Sequence, residues 1–272
     1  MLNSVSAQSP WLQKKNTLLT QISFNVIPNY SQLFINSGER YDTERYLSDY
    51  TLQGWLEYGV SESMALQLIM PLKMLNAGDL VASETQTPQT VSGSLHAFGN
   101  IAIIWKQKLL QHAWILTSHL LIEFPTASYK DESGLRSGYD AGSISGILSA
   151  GRGFGHGYFY GHLGIGARSN DYSGFVTGGL EGGYQLSEQF WVAGVINILQ
   201  SFMNGTRQDP VNNLQTGLYV NDQEFFAWGL KLFGSIIHDK LGYSLSVFSA
   251  TNGNYVAKSV PINFGFYYIF SL

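Results

Sequence analysis

Apolar and polar residues alternate along most of this chain, and no other feature of the sequence limits its fold as strongly. The alternation is clearest in five segments, at 18–26, 46–60, 64–73, 114–124 and 260–270. In the last of these, every even-numbered position is apolar or aromatic, from Val260 to Phe270. An amphipathic helix would repeat its apolar residues every three or four positions instead. The pattern therefore predicts β-strands that have one apolar and one polar face.

The number and length of these segments indicate a membrane protein. Weaker segments of the same kind occupy 95–108, 140–151, 158–168, 175–186, 190–201, 222–235 and 241–250. Together they predict about twelve strands of roughly ten residues, which is the length of a tilted strand that crosses a bilayer. Only 12% of the residues are charged, about half the share in soluble domains. A net charge of −4 leaves no basic surface for nucleic acid.

The connections between the segments alternate in length. Short ones are predicted at 61–63, 109–112, 152–157, 187–189 and 236–240, long ones at 28–44, 76–94, 126–139 and 202–221, and medium ones at 169–174 and 251–258. Outer-membrane barrels have short periplasmic turns and longer extracellular loops, whereas a soluble β-sandwich has no reason to follow this order. The sequence therefore predicts an all-β fold, a transmembrane antiparallel up-and-down β-barrel of about 12 strands in the outer membrane of a Gram-negative bacterium.

The N-terminal residues form a separate segment. We divide the chain into an N-terminal segment, 1–15, and a single β-barrel domain, 16–272. Val5-Ser6-Ala7 before Gln8 has the small-residue pattern of a signal-peptide cleavage site. Residues 1–7 are therefore either the remnant of an export signal or a plain disordered terminus. The sequence also leaves open whether residues 8–15 plug the barrel.

Three short motifs are similar to those of a known family. They are Trp55-Leu-Glu-Tyr-Gly-Val-Ser-Glu62, Ala97-Phe-Gly-Asn-Ile101, and Glu123-Phe-Pro-Thr-Ala-Ser-Tyr129 with Gly134 and Asp140-Ala-Gly142 behind it. They resemble, in that order, a W-x-EYG-x-(T/S)-(D/E) hairpin, a GxGD strand start and an lPTGxY strand end. Over about residues 11–272 the chain resembles the outer-membrane channels of the meta-pathway of phenol degradation family. Ala127 and Asn100 depart from the family's usual Gly and Asp.

The resemblance implies a function and a set of partners. It implies a monomeric channel for passive uptake of small, hydrophobic or aromatic molecules. We expect the barrel to contact the lipid bilayer, lipopolysaccharide, the barrel-assembly machinery and the small-molecule permeant, and to bind no nucleic acid. The alternatives are an outer-membrane barrel enzyme that acts on lipid and a structural barrel with a plugged lumen.

Ten residues on the inward face of the predicted strands are candidates for the pore lining. Charged side chains belong on this face because Arg or Lys facing lipid at mid-depth costs about 2–4 kcal/mol. The ten are Asp49, Gln53, Glu57, Gln67, His119, Glu123, Tyr160, His162, Arg168 and Glu181. We interpret them as groups that orient a permeant. A structural lattice of ion pairs that fills a narrow barrel is the alternative, and the two roles are compatible.

The sequence predicts no catalytic site. His119 and Glu123 share a face, but four residues of strand separate them by roughly 13 Å, beyond hydrogen-bond reach. Gly151-Arg-Gly-Phe-Gly-His-Gly157 has the composition of a phosphate-binding loop, yet it falls at a predicted turn with no helix after it. The chain has no Cys and no His spacing typical of metal sites. We therefore expect no enzyme activity, cofactor or metal.

Overall fold

A computed structural model describes residues 8–36, 38–80 and 91–272, so the predicted export-signal remnant at 1–7 lies outside the described residues. The strands are β1 (Thr17–Ile35), β2 (Glu39–Ser61), β3 (Met64–Leu80), β4 (Gly93–Phe98), β5 (Ile101–Gln111), β6 (Ile115–Phe124), β7 (Tyr129–Lys130), β8 (Leu135–Arg136), β9 (Ser143–Phe154), β10 (Gly157–Arg168), β11 (Phe175–Ser187), β12 (Phe190–Ser201), β13 (Glu224–Ile237), β14 (Leu241–Asn254), β15 (Val256–Ala257) and β16 (Ile262–Ser271). Helix α1 (Val211–Leu214) has one turn. No helix within the described ranges has the length and apolar character that crossing a membrane requires.

The strands close into a barrel. Each wall strand pairs antiparallel with its neighbours along the chain, and β1 pairs with both β2 and β16, which closes the circle. Strand β4 pairs with the C-terminal part of β3, and β5 pairs with its N-terminal part. Together β4 and β5 form one wall strand that is interrupted at Gly99 and Asn100. The wall therefore has twelve strands, and the predicted fold class is confirmed.

The outer surface of the barrel is apolar. On β16 the side chains of Phe264, Phe266 and Phe270 are exposed, whereas Gly265 and Tyr267 between them are buried. An apolar belt of this kind faces lipid, and closure leaves no strand edge with unpaired backbone groups in the hydrocarbon. The architecture and the belt agree with the prediction that the protein lies in the outer membrane of a Gram-negative bacterium.

The two ends of the barrel differ as predicted, but three predicted connections are shorter in the structure. The short turns lie at the same end as the start of β1 and the end of β16, which is therefore the periplasmic end. Strand β3 continues to Leu80 and β14 to Asn254, into the predicted connections at 76–94 and 251–258. The predicted long loop at 28–44 is wrong, because β1 continues to Ile35 and β2 begins at Glu39. These strands keep their pairing beyond the ten residues that a bilayer requires, and the pairing satisfies their backbone groups outside it.

The glycine-rich strands make room for large lumen side chains. A Cβ at Gly183 of β11 would lie 2.2 Å from Cε1 of Tyr158 on the neighbouring strand. We expect Gly183→Ala to lower the free energy of unfolding by about 1–3 kcal/mol, because the buried phenol ring has to move. Urea unfolding of the barrel in detergent micelles measures this difference. Gly146→Ala is the matched control, because no atom lies within 4 Å of its added Cβ, and an equal loss in both variants would contradict the explanation.

Candidate functional site

Residues 8–14 run inside the barrel at its periplasmic end. Four wall side chains form hydrogen bonds with their backbone. Three of them donate to carbonyl groups: Ser149 Oγ to Gln8 (2.6 Å), Thr117 Oγ1 to Pro10 (2.7 Å) and Lys106 Nζ to Trp11 (2.8 Å). The fourth, Glu57, accepts a hydrogen bond through Oε1 from the Gln13 N–H (3.0 Å). The partners lie on β9, β6, β5 and β2. The N-terminal segment therefore occupies the lumen, a point that the sequence left open.

Aromatic rings fill the lumen around this segment. The indole of Trp11 packs edge-to-face on Tyr158 and Tyr160, with ring centres 5.7 and 5.6 Å away. Tyr158 also contacts Trp191 and Phe233 on the far side. These five rings form the periplasmic aromatic cluster, which narrows the lumen together with residues 8–14.

Three buried carboxylates in the lumen, those of Glu57, Asp49 and Glu181, are each paired with a lysine. Glu57 Oε1 lies 3.5 Å from Lys106 Nζ, and Glu57 Oε2 accepts a hydrogen bond of 2.7 Å from Gln67 Nε2. Asp49 Oδ2 lies 2.7 Å from Lys73 Nζ. Burial of a charge is costly unless a partner compensates it, so these side chains depend on one another. Three of the predicted lining residues, Asp49, Glu57 and Gln67, are therefore in ion-pair groups.

A third group lies between β10, β11 and β13. Glu181 accepts hydrogen bonds from the hydroxyls of Tyr158 (2.5 Å) and Tyr160 (3.0 Å), and Lys231 Nζ lies 3.3 Å from Glu181 Oε1. His162, two residues after Tyr160 on β10, borders the same part of the lumen. Lys231 was not among the sequence candidates, because a lysine within the alternating segment 222–235 has no local signal for its partner on β11.

The remaining candidates are separated from one another. Glu123 accepts a hydrogen bond from Ser143 Oγ, and neither ring nitrogen of His119 has a hydrogen-bond partner among the described residues. Gln53 is half-buried on the inward face of β2. Arg168 stacks on the rings of Tyr139 (4.0 Å) and Phe175 (4.2 Å) at the extracellular end of its strand. The role of the ten candidates in permeation stays a prediction.

A cavity of about 260 Å³ lies at mid-height in the lumen. Its lining includes the sequence candidates Tyr160, His162 and Glu181, together with Lys231. Uncharged polar side chains supply much of the remaining wall, namely Gln21, Asn25, Asn197, Ser244, Ser246 and Asn263. These six come from β1, β12, β14 and β16. Their polar groups can replace the hydration of a passing solute. These six uncharged residues were not among the ten sequence candidates.

Two folded segments cover the extracellular end. One comprises residues 125–142 with β7 and β8, and the other comprises residues 202–223 with α1; together we call them the cap. Asn213 Nδ2 and Thr216 Oγ1 of the second donate to the carbonyl of Gly134 in the first, at 3.2 and 3.1 Å. Leu135 and Leu218 pack with Leu33 and other buried apolar residues of the wall. The cap is thus a packed structure that rests on the barrel.

Charged and phenolic groups connect the cap further. Arg207 lies 3.1 Å from Asp209 and 3.4 Å from Asp140, and its guanidinium stacks on Tyr172. Burial raises the pKa of Tyr172 and raises that of Tyr139 to about 12. Both phenols therefore stay protonated at neutral pH, and the Tyr139 hydroxyl donates a hydrogen bond of 2.9 Å to Gln223 Oε1.

Comparison with known proteins establishes the fold and not a family. No protein-family model matches the chain, and no curated protein sequence is significantly similar to it. An outer membrane channel from Pseudomonas putida F1 superposes with a TM-score of 0.75 at 13% identity, over 98% of this chain and 100% of that one. The β domain of the Bordetella autotransporter BrkA gives 0.56 at 11% identity (94% and 100%), and the NanC porin gives 0.52 at 6% (92% and 98%). A fold shared by a channel, a porin and an autotransporter does not by itself identify a function.

Proposed function

We propose that this barrel is an outer-membrane channel for the passive uptake of small molecules, in particular hydrophobic or aromatic ones. The observation that carries the proposal is the mid-lumen cavity of about 260 Å³, which is lined by uncharged polar side chains, the Glu181–Lys231 pair and the rings of Tyr160 and Phe248. A barrel that served only as a membrane anchor would gain packing energy by filling that space. The cavity instead offers room for a solute between the cap and the periplasmic aromatic cluster.

The lining supports this class of permeant. The cluster presents the rings of Trp11, Tyr158, Tyr160, Trp191 and Phe233 towards the periplasmic side of the lumen. Ring faces and edges of this kind pack favourably on an aromatic solute. The buried carboxylates of the three lysine pairs are compensated locally, so they do not exclude a solute by the sign of its charge.

Passage requires movement at both ends. Residues 8–14 occupy the lumen through hydrogen bonds and ring packing, and the cap covers the extracellular end. Both contacts are non-covalent, so thermal opening of either one widens the route. We propose that the described structure is the resting, narrow state of the channel.

A structural barrel with a plugged lumen is the second candidate. The placement of residues 8–14 in the lumen is the observation that favours it. No observation on the described residues favours the enzyme alternative. The apolar belt supports contact with lipid, while binding to lipopolysaccharide or the assembly machinery and the monomeric state stay proposals.

Liposome swelling distinguishes the channel from the plugged barrel. We expect purified full-length protein to admit glycine, arabinose and benzoate into liposomes, with benzoate faster than arabinose. The Trp11→Ala variant is measured beside the wild type, so that a closed resting state is not mistaken for a permanent plug. Exclusion of every solute by both proteins would contradict the channel and favour the structural barrel. Faster entry of the sugar would contradict the aromatic preference alone.

A further inference from the structure

The barrel wall is interrupted beside the cap, between β1 and β14. Strand β1 pairs with β16 as far as Val26 and Ile262, and pairing resumes only at Leu33 with Ala257 of β15. Between these points β1 has residues 27–32 and the opposite chain has residues 258–261. A single backbone hydrogen bond, from Lys258 N–H to the Gln32 carbonyl, spans this stretch, all of which the structure describes. We call this interruption the seam.

The sequence explains why the seam is unpaired. Pro261 has no N–H to donate, and its own carbonyl bonds to the N–H of Phe248 on β14. On the other side, Pro28 lies within an irregular part of β1, where the register against β2 shifts between Ile27 and Tyr30. Beyond Phe248 the pairing of β14 with the returning chain also ends, since its last pair with β16 is Val247 with Ile262. Irregular backbone at the edge of the membrane is tolerated where it is buried in protein or lines a water-filled cavity.

An apolar cavity of about 300 Å³ lies behind the seam. Its lining from both sides of the seam includes Ile27, Phe248, Ala250, Val256, Ala257 and Pro261. The lining also includes the Asp49–Lys73 pair and, from the cap, Leu218, Tyr219 and Gln223. The cavity, which we call the wall pocket, is therefore mostly apolar, and its polar groups include the Asp49–Lys73 pair and Tyr219.

The wall pocket is adjacent to the mid-lumen cavity. Phe248 lines both of them, so its ring is the partition between the two spaces. On the outer surface, Val247, Val260 and Ile262 beside the seam are exposed and belong to the apolar belt. The ten paired residues from Thr17 to Val26 are enough to cross the bilayer, which places the seam at the outer edge of the belt.

We propose that the wall pocket is a binding site through which small apolar molecules with one polar group, such as simple phenols, pass from the outer leaflet into the lumen. Their apolar part fits the aliphatic and phenyl lining, and their polar group reaches Lys73, Asp49 or Tyr219. The lateral route enters beside the cap, whose residues Gly217, Leu218, Tyr219 and Gln223 form part of the pocket wall. It does not use the axial opening that the cap covers. This inference rests on the proposed channel function and adds the place at which such permeants are recognised.

Filling the pocket tests the lateral route. The full-length protein is placed in liposomes with lipopolysaccharide in the outer leaflet, and uptake of para-bromophenol above the protein-free background is compared with swelling in glycine. We expect Ala250→Trp to lower para-bromophenol uptake by about tenfold, because the indole occupies the pocket, and to leave glycine swelling unchanged. Phe248→Ala removes the partition and should raise para-bromophenol uptake. Ala167→Trp, on the exposed face of β10, is the matched control and should change neither.

The outcomes separate the two proposals. If the wild type takes up neither solute, the channel function is wrong. If it takes up both and Ala250→Trp lowers both equally or neither, the lateral route is wrong and the channel function stands. Ala257→Trp, on the other side of the pocket, replaces Ala250→Trp if that variant does not fold. Crystals soaked in para-bromophenol give an independent readout: an anomalous bromine peak between Phe248 and Ala257 supports the site, and a peak only in the periplasmic aromatic cluster overturns it.

Discussion

Replacing Trp11 by alanine is expected to raise the single-channel conductance of the barrel several-fold. The indole packs edge-to-face on the rings of Tyr158 and Tyr160 and fills part of the lumen within the periplasmic aromatic cluster. Its removal both widens the lumen and loosens residues 8–14, because the side chain is the largest apolar contact of that segment with the wall. Trp11 is half-buried, so its removal should cost less than the roughly 3–5 kcal/mol of a fully buried aromatic side chain. Planar bilayer recordings of the purified full-length protein measure the change.

Trp114→Ala is the matched control for this experiment. Trp114 is exposed at the periplasmic rim just before β6, outside the lumen. Trp114→Ala also removes one tryptophan side chain, but it should leave the conductance at the wild-type level. Equal conductance of Trp11→Ala and wild type would show that residues 8–14 do not form the narrowest point, and that the cap does.

Lys106→Met is expected to lower the free energy of unfolding by about 3–5 kcal/mol, because it leaves a buried carboxylate without its counter-charge. The Lys106 side chain is fully buried, and its Nζ contacts both Glu57 and the Trp11 carbonyl. Glu57 would keep only the neutral donors Gln67 and the Gln13 N–H. Urea unfolding in detergent, followed by tryptophan fluorescence, measures the loss. The same variant should also raise the conductance, since it removes one of the bonds that hold residues 8–14.

A double variant and a second lysine control this prediction. Adding Glu57→Gln to Lys106→Met removes the unpaired charge, so most of the lost stability should return. Lys108→Met, two residues along β5, changes a partly exposed lysine that contacts Gln111. It should cost less than about 0.5 kcal/mol, as surface substitutions usually do. If Lys108→Met lowered the free energy of unfolding as much as Lys106→Met, the effect would come from placing methionine on β5 and not from the unpaired Glu57.

The lumen candidates show where prediction from sequence succeeded in part. Asp49, Glu57 and Glu181 could be assigned to the inward face because each alternates with apolar neighbours on its own strand. Their partners could not be assigned, since Lys73, Lys106 and Lys231 lie on other strands and their contacts depend on the register. Pairing in a barrel is decided by which strands are neighbours and by how far each is shifted, and neither is encoded locally.

His119 and Glu123 show the opposite limit. Four residues apart on one strand, they shared a face in the sequence and lay too far apart to act together. The structure gives Glu123 the neighbouring Ser143 and leaves the nitrogens of His119 without a described partner. Here the sequence excluded a contact correctly, because the rise per residue of a strand is a local quantity.

The sequence by itself determined the barrel, because a period of two residues assigns each side chain to one face and the order of short and long connections assigns each end to one side of the membrane. Only the tertiary structure decided what fills the barrel. The contact of Ser149 with the Gln8 carbonyl joins residues 141 positions apart. The seam arises where the pairing of β1 stops at Ile262 of β16 and resumes only at Ala257 of β15. Such contacts depend on the closed circle of strands, which no short stretch of the chain contains.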